Sequence, residues 1–210
     1  MDAIQDPVGV MKSYFRQQRQ LHPTGLIGFK WKPTKFDEPK YHAARLWLAE
    51  KQVKVILMQR NILDLHLSAL KHATSNATIP AHCFKGDDKC VQQHKSVALY
   101  VDTDHLIKKL DILMNSARTI RAEMERARLQ FISLSYDDLA FGPQETRLRL
   151  LQDVIEFVYP NKQPQIKATM ALFNASSFEA THDRSHSNSI RNYEEIVAVL
   201  KGTEYESMLH

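Results

Sequence analysis

The sequence predicts an α/β fold built on a parallel sheet, and three observations carry that prediction. Short apolar runs alternate with stretches of helical periodicity along the chain. The run from Lys54 to Gln59 is rich in Val, Ile, Leu and Met, the composition of a strand that can be covered on both faces. A second apolar run, Leu26 to Trp31, leads into it through a helix at Tyr41 to Glu50, which makes a strand, helix, strand crossover. The 210 residues are 43% hydrophobic, enough to bury one core, so a single domain spanning 1–210 is expected.

Each element has its own signal. Asp6 can cap a first helix from about Pro7 to Gln20, Pro7 suits its opening turn, and Val8, Met11 and Phe15 mark one face. His22-Pro23-Thr24-Gly25 breaks it, and Leu26 to Trp31 then reads as a short strand ended by Pro33. Beyond Gln59, Asn61 caps a helix whose Leu63, Leu67 and Leu70 follow the helical repeat. Thr74 to Lys95 is polar and aperiodic, and reads as a mobile loop. Asp102-Thr103-Asp104 opens a long helix with Leu106, Leu110, Leu113, Ala117, Ile120 and Met124 on its buried side. A strand, Gln130 to Ser135, follows, and Gly142-Pro143 introduces a helix with Leu151, Ile155 and Val158 inwards. Asn192 and Glu195 form a capping pair for the last helix, which Gly202 terminates.

The junction after Gln59 is where chemistry is expected. Opposite the leucines, Asn61, Asp64, Ser68 and Lys71 make a polar stripe, and Arg60 begins it. An arginine at the carboxyl end of a strand and a serine two turns into the next helix can reach one phosphate, the guanidinium as a planar fork and the hydroxyl as a neutral donor. The plainer alternative is a surface ion pair at Arg60 and a solvated Ser68. The wording of the segment favours the phosphate. Arg60, Asn61, Asp64 and Ser68 resemble the sulfotransferase signature Arg-Asn-Pro-x-Asp-x-x-x-Ser, with Ile62 in place of the proline. Gly28-Phe29-Lys30-Trp31-Lys32-Pro33 is similar to the strand and loop that precede this signature, and Phe131 to Leu139 to a strand ending in Tyr-Glu-Asp-Leu. Ile190 to Glu195 and Leu200 to Glu206 resemble the closing helix of a carbohydrate-type or algal-type branch.

That resemblance implies a P-loop-NTPase-like three-layer fold whose first strand is missing here. It implies transfer of a sulfuryl group from PAPS to a hydroxyl, of a carbohydrate, without a metal. Arg60 and Ser68 would hold the 3′-phosphate of PAPS and Tyr136 would lie against the adenine, unless Tyr136 is a core tyrosine at a strand end. Lys30 and Lys32 fall where cytosolic members have Lys-Thr-His, and Lys32 takes the place of the histidine base. A lysine serves as base only with a lowered pKa, so steadying the sulfuryl oxygens is the simpler role, and both lysines can also be solvated flanks of Trp31. Asp37 and Glu38 offer a carboxylate base instead. Arg184, within Thr181-His182-Asp183-Arg184-Ser185-His186, stands where relatives close a basic loop over the 3′-phosphate. The family's phosphate loop, Pro-Arg/Lys-Ser-Gly-Thr, is not matched: the six glycines are Gly9, Gly25, Gly28, Gly86, Gly142 and Gly202, and none sits in such a loop. The chain therefore reads as the portion of the family domain that follows that loop, or as a form that has discarded it. The alternative function is a catalytically inactive relative that binds a nucleotide 3′-phosphate or a sulfated glycan.

Composition narrows the partners. The net charge of +4 comes from scattered Lys and Arg, which suits an anionic donor at least as well as a nucleic acid. No segment interleaves aromatic residues with Arg and Lys on a strand, so no nucleic-acid partner is expected. Neither an apolar stretch of about eighteen residues nor a secretory signal is visible. Cys83 and Cys90 flank a polar loop with a glycine, and are either a local disulfide or two reduced thiols. With His82 and His94 their spacing fits no compact zinc pattern. Asn76-Ala77-Thr78 and Asn174-Ala175-Ser176 are glycosylation acceptors in a secretory compartment, which tilts the location towards the Golgi lumen.

Overall fold

The computed structural model describes residues 6–24, 26–31, 39–74, 83–84, 86–160, 178–179 and 186–209. Its architecture is mixed α/β and mostly helical, with a two-stranded parallel sheet. In chain order the elements are α1 (Pro7–Leu21), α2 (Pro39–Glu50), β1 (Val55–Gln59), α3 (Ile62–Thr74), β2 (Cys83–Phe84) and α4 (Asp88–Ser96). They continue with α5 (Leu106–Arg126), β3 (Phe131–Ser135), α6 (Tyr136–Phe141), α7 (Gln144–Val158), β4 (Phe178–Glu179) and α8 (Tyr193–Leu200). Short 3-10 turns lie at His186–Asn188 and Glu206–Leu209. β1 pairs with β3, and β2 with β4 in an antiparallel ladder.

The chain gathers into two compact units, Met1–Val55 with Asn115–Phe131, and Ile56–Met114 with Ile132–His210. In the first, α1 starts as its sequence requires, with the Gly9 amide donating to the Asp6 carboxylate at 2.8 Å. Met11, Ala44, Leu48, Met124 and Leu129 are buried in this unit, beside stacked aromatic rings and a buried ion pair. Phe15 meets Phe29 edge-on with ring centres 5.6 Å apart and Trp47 at 5.7 Å. Arg45, 4% exposed, donates to Glu123 at 3.0 Å, and Arg126 pairs with the same carboxylate. The helices that precede the two parallel strands end alike. Gln52 and Arg128 take left-handed φ of 51° and 54°. Each is followed by an amide that reaches back five residues, Val53 to the Leu48 carbonyl at 2.9 Å and Leu129 to the Met124 carbonyl at 3.0 Å. This is the Schellman closure, made without glycine.

The second unit holds the main core. Leu63, Val101, Leu106, Leu110, Ile196 and Leu200 are fully buried in one cluster that joins α3, the start of α5 and α8. At about 25 cal/mol per Å² of apolar surface, this burial is the chief stabilising term. Tyr205 closes the cluster, its hydroxyl donating to Asp111 at 2.6 Å. Cys90, buried in α4, is disulfide-bonded, and the only other cysteine in the sequence is Cys83.

Four expectations are corrected. Leu26 to Trp31 is not a strand: the Gly28 carbonyl accepts from the Tyr14 hydroxyl at 2.8 Å, and Leu26 is 64% exposed. An apolar run was satisfied by aromatic stacking on α1 rather than by a ladder, so the crossover expected from it is not formed. β1 is not covered on both faces, since Ile56 and Met58 are 43% and 46% exposed. The polar stretch Thr74 to Lys95 contains β2 and α4, which Asp87 caps through the Cys90 amide at 3.0 Å. Asn192 makes no side-chain cap on α8. Its amide group bonds both backbone groups of Val101 instead, accepting from the N–H at 3.0 Å and donating to the C=O at 2.8 Å.

Candidate functional site

Everything at the proposed junction follows from β1 handing over to α3. Asn61 is the N-cap: its Oδ1 accepts from the amides of Leu63 at 2.9 Å and Asp64 at 3.4 Å, satisfying donors that the first turn leaves open. Its Nδ2 donates to the Met208 carbonyl at 2.8 Å, which pins the carboxyl-terminal turn to the start of α3. The Asn61 backbone N–H donates to Asp137 of α6 at 3.3 Å, so a carboxylate already faces the positive end of the helix.

Arg60 is held beside this cap. Its guanidinium lies over the ring of Tyr136, with Cζ 4.9 Å from the ring centre. Its Nε is buried, has no hydrogen-bond partner, and stands 3.9 Å from Asp64 Oδ2, beyond hydrogen-bond reach. Tyr136 arrives there because β3 ends at Ser135, whose hydroxyl accepts from the Asp138 amide at 3.1 Å and starts α6 at once. The carboxyl ends of two neighbouring parallel strands thus deliver an arginine and an aromatic ring to one place, the edge at which α/β sheets bind ligands.

A histidine completes the cluster. His186 Nε2 lies 2.7 Å from Asp64 Oδ1, and Nδ1 lies 3.2 Å from the Leu209 carbonyl. Both oxygens only accept, so the doubly protonated ring satisfies both contacts. The hydrogen bond to Asp64 raises the His186 pKa above its ordinary value; burial opposes this, while the Leu209 carbonyl and the charges of Asp64 and Asp137 add to it. The sequence contained His186 in its polar cluster but gave it no role. Its partner lies 122 residues away, a pairing that no local pattern announces.

Of the residues singled out from sequence, Arg60 and Tyr136 are brought into direct contact. Ser68 is half-buried on α3, two turns beyond Arg60 and one turn beyond Asp64. Lys30 is exposed in an irregular segment of the first unit. Lys32 and Arg184 lie outside the described residues, as do Asp37 and Glu38 and both glycosylation tripeptides. Among the described residues no group of three or more His, Cys, Asp and Glu side chains is placed to hold a metal ion. No described helix is long and apolar enough to cross a membrane. No protein-family model matches the chain, and neither a curated protein nor a solved structure is detectably similar to it.

Proposed function

We propose that this chain is a sulfotransferase-like protein that grips the 3′-phosphate of PAPS at Arg60 and Ser68, with Tyr136 beside the nucleotide, and is built to serve sulfuryl transfer to a carbohydrate hydroxyl. The observation that carries the reading is Arg60 itself. A buried guanidinium nitrogen without a partner is costly, and a charged acceptor at that position would remove the cost. The aromatic ring under the guanidinium fixes its plane, and Ser68 lies on α3, the helix that follows Arg60. The β1 to α3 junction beside β3 is also what a P-loop-like three-layer fold would place there, and the proposal extends to that fold. Lys30, Lys32 and Arg184 remain proposed contacts to the donor on sequence resemblance alone. Disulfide-bonded Cys90 suits an oxidising compartment such as the Golgi lumen.

A second reading has its own support. The chain contains no Ser-Gly-Thr loop to hold the phosphosulfate, which favours a binding protein that retains the nucleotide grip without rapid chemistry. Both readings share one test. Adenosine 3′,5′-bisphosphate, the product nucleotide, should bind the purified chain in calorimetry. Arg60→Ala should weaken that binding by about ten- to one-hundred-fold, the equivalent of a lost charge-assisted bond of about 1.5–3 kcal/mol. Equal affinity of Arg60→Ala and the parent would remove the basis of both.

A further inference from the structure

The net positive charge of the chain lies in one of its two units. The first unit holds fourteen Lys and Arg against seven Asp and Glu, whereas the second holds fourteen against seventeen. Within the first unit, α1 carries no acidic residue, and Lys12, Arg16 and Arg19 follow one another at helical spacing, all exposed. The acids beside them are engaged. Asp6 accepts from the Gly9 amide at 2.8 Å, and Glu50, which feels the charge of Lys12, pairs with Lys51 at 2.6 Å.

An apolar row runs along the same helix. Val10 and Leu21 are eleven residues apart, about three turns, so they lie in line, with Tyr14 between them. The Tyr14 hydroxyl donates to the Gly28 carbonyl at 2.8 Å and its ring centre is 5.9 Å from that of Phe29, which lays residues 26–31 along this side of α1. The basic row and the apolar row flank the outward face of the helix, opposite the buried Met11. Val10 is 55% exposed, Leu21 63%, Leu26 64% and Phe29 38%, and Lys30 beside Phe29 is exposed as well. A single exposed leucine needs no explanation, but four large apolar side chains on two adjoining segments, next to a row of cations, make a surface that meets a partner.

We propose that this face of the first unit docks on an anionic lipid surface, with Lys12, Arg16 and Arg19 against the headgroups and Val10, Leu21, Leu26 and Phe29 at the acyl boundary. A soluble polyanion would answer the charges and leave the aliphatic side chains in water. An apolar protein surface would answer the aliphatic side chains and leave the charges unused. An anionic bilayer answers both, and the excess of cations in this unit matches its sign. The contact is peripheral, since no described helix is long and apolar enough to cross a membrane. The inference is independent of the Arg60 reading, because all of its residues belong to the first unit and Arg60 to the second.

The test is flotation of the full chain with vesicles of phosphatidylcholine alone and of an equal mixture of phosphatidylcholine and phosphatidylserine. Two variants are compared with the parent. One carries Lys12→Gln, Arg16→Gln and Arg19→Gln; the other carries Val10→Gln, Leu21→Gln and Leu26→Gln, positions more than half exposed, with Phe29 kept because it stacks on Phe15. The parent should bind the mixed vesicles and not phosphatidylcholine alone, and should be released as salt rises from about 0.1 M to about 1 M and the Debye length falls from about 10 Å to about 3 Å. Each lost charge should weaken binding about five-fold, so the first variant should lose about one-hundred-fold. The second should lose about ten-fold or more through its apolar contacts. Should one variant fail to fold, the other decides together with the contrast between vesicles. Equal binding to both vesicle types, or binding that survives the loss of the three cations, overturns the proposal. A loss confined to the charge variant, with soluble heparin competing fully, assigns the face to polyanions and overturns it too. A chain that ignores vesicles but sediments as a dimer, and as a monomer with the apolar substitutions, assigns the face to a second copy and equally overturns it.

Discussion

Replacing Asn61 by alanine removes two separable interactions, and their sum can be worked from the geometry. The first is the cap on α3, in which Oδ1 serves the Leu63 amide at 2.9 Å; losing an Asn cap costs about 1 kcal/mol. The second is the bond from Nδ2 to the Met208 carbonyl at 2.8 Å, again about 1 kcal/mol net. The contact between the Asn61 backbone N–H and Asp137 survives the substitution, so the expected loss is about 2 kcal/mol, or about 4–8 °C in melting temperature for a chain of this size. Asn61→Ser divides the two effects: its hydroxyl keeps the cap but does not reach Met208, and it should cost about half as much. Asn61→Asp keeps the cap yet faces Asp64 and Asp137 with a third carboxylate, so it should be worse than serine. Urea unfolding followed by far-UV circular dichroism is the assay, with the shift in midpoint read at unchanged slope. An alanine variant within about 0.5 kcal/mol of the parent, or a serine variant as costly as alanine, would show that the cap and the pin are not what hold α3.

Stability should have a maximum in pH. His186, with its pKa raised, contributes stability that is complete below 6.5 and is lost as pH rises through its folded pKa. His66 is pushed the other way, by burial first and by Lys109 second, so its contribution is complete above 6.5 and is lost as pH falls through its folded pKa. Chemical denaturation at stepped pH should show both limbs, and His186→Gln should flatten the alkaline one; a limb that survives the substitution would assign it elsewhere. Reducing the disulfide at Cys90, or substituting Cys90→Ala, should cost about 2 kcal/mol, the low end of what a native disulfide contributes. An unchanged midpoint in dithiothreitol would contradict that. Radiolabelled PAPS with a panel of glycans should give very slow sulfate transfer or none by this chain, because loss of even one preorganised donor commonly costs about one hundred- to one thousand-fold in rate. Turnover on the order of one per second would show that a phosphate loop is dispensable.

What could be read from sequence was what local physics decides. α1, α2, α3, α5 and α7 were legible because their apolar spacing and first-turn residues lie within a few positions of one another. β1 and β3 were legible as apolar runs; Arg60 and Ser68 were singled out from their spacing at the strand end and on α3, and Tyr136 from the resemblance alone. The first strand failed because Leu26 to Trp31 carries the same composition whether it joins a ladder or stacks on Phe15. Periodicity has no means of choosing between those. α6 was missed for a related reason. Its six residues are too few for a period, and only the Ser135 cap marks its start.

The two asparagines show where the boundary runs. Asn61 and Asn192 each stand just before a helix with an acid three residues on, and the local rule gives both the same job. Asn61 takes it. Asn192 does not, because a competing claim lies ninety-one positions away in sequence. Leu99 and Ile190 form a parallel bridge, with the Leu99 amide on the Ser189 carbonyl at 2.8 Å and the Arg191 amide on the Leu99 carbonyl at 2.7 Å. At the next paired position, Val101 is fully buried and its N–H and C=O both need partners. The amide of Asn192 supplies an acceptor and a donor together, so it continues the ladder as a side-chain rung. An exposed helix cap is worth about 1 kcal/mol, whereas two orphaned backbone groups in the core would cost about 1–3 kcal/mol each. The longer-range demand therefore wins. The same asymmetry explains His186: burial makes the contacts with Asp64 and Leu209 more valuable than any local use of its ring. The parts of this site that sequence leaves unread are the buried polar groups, whose partners are set by the fold.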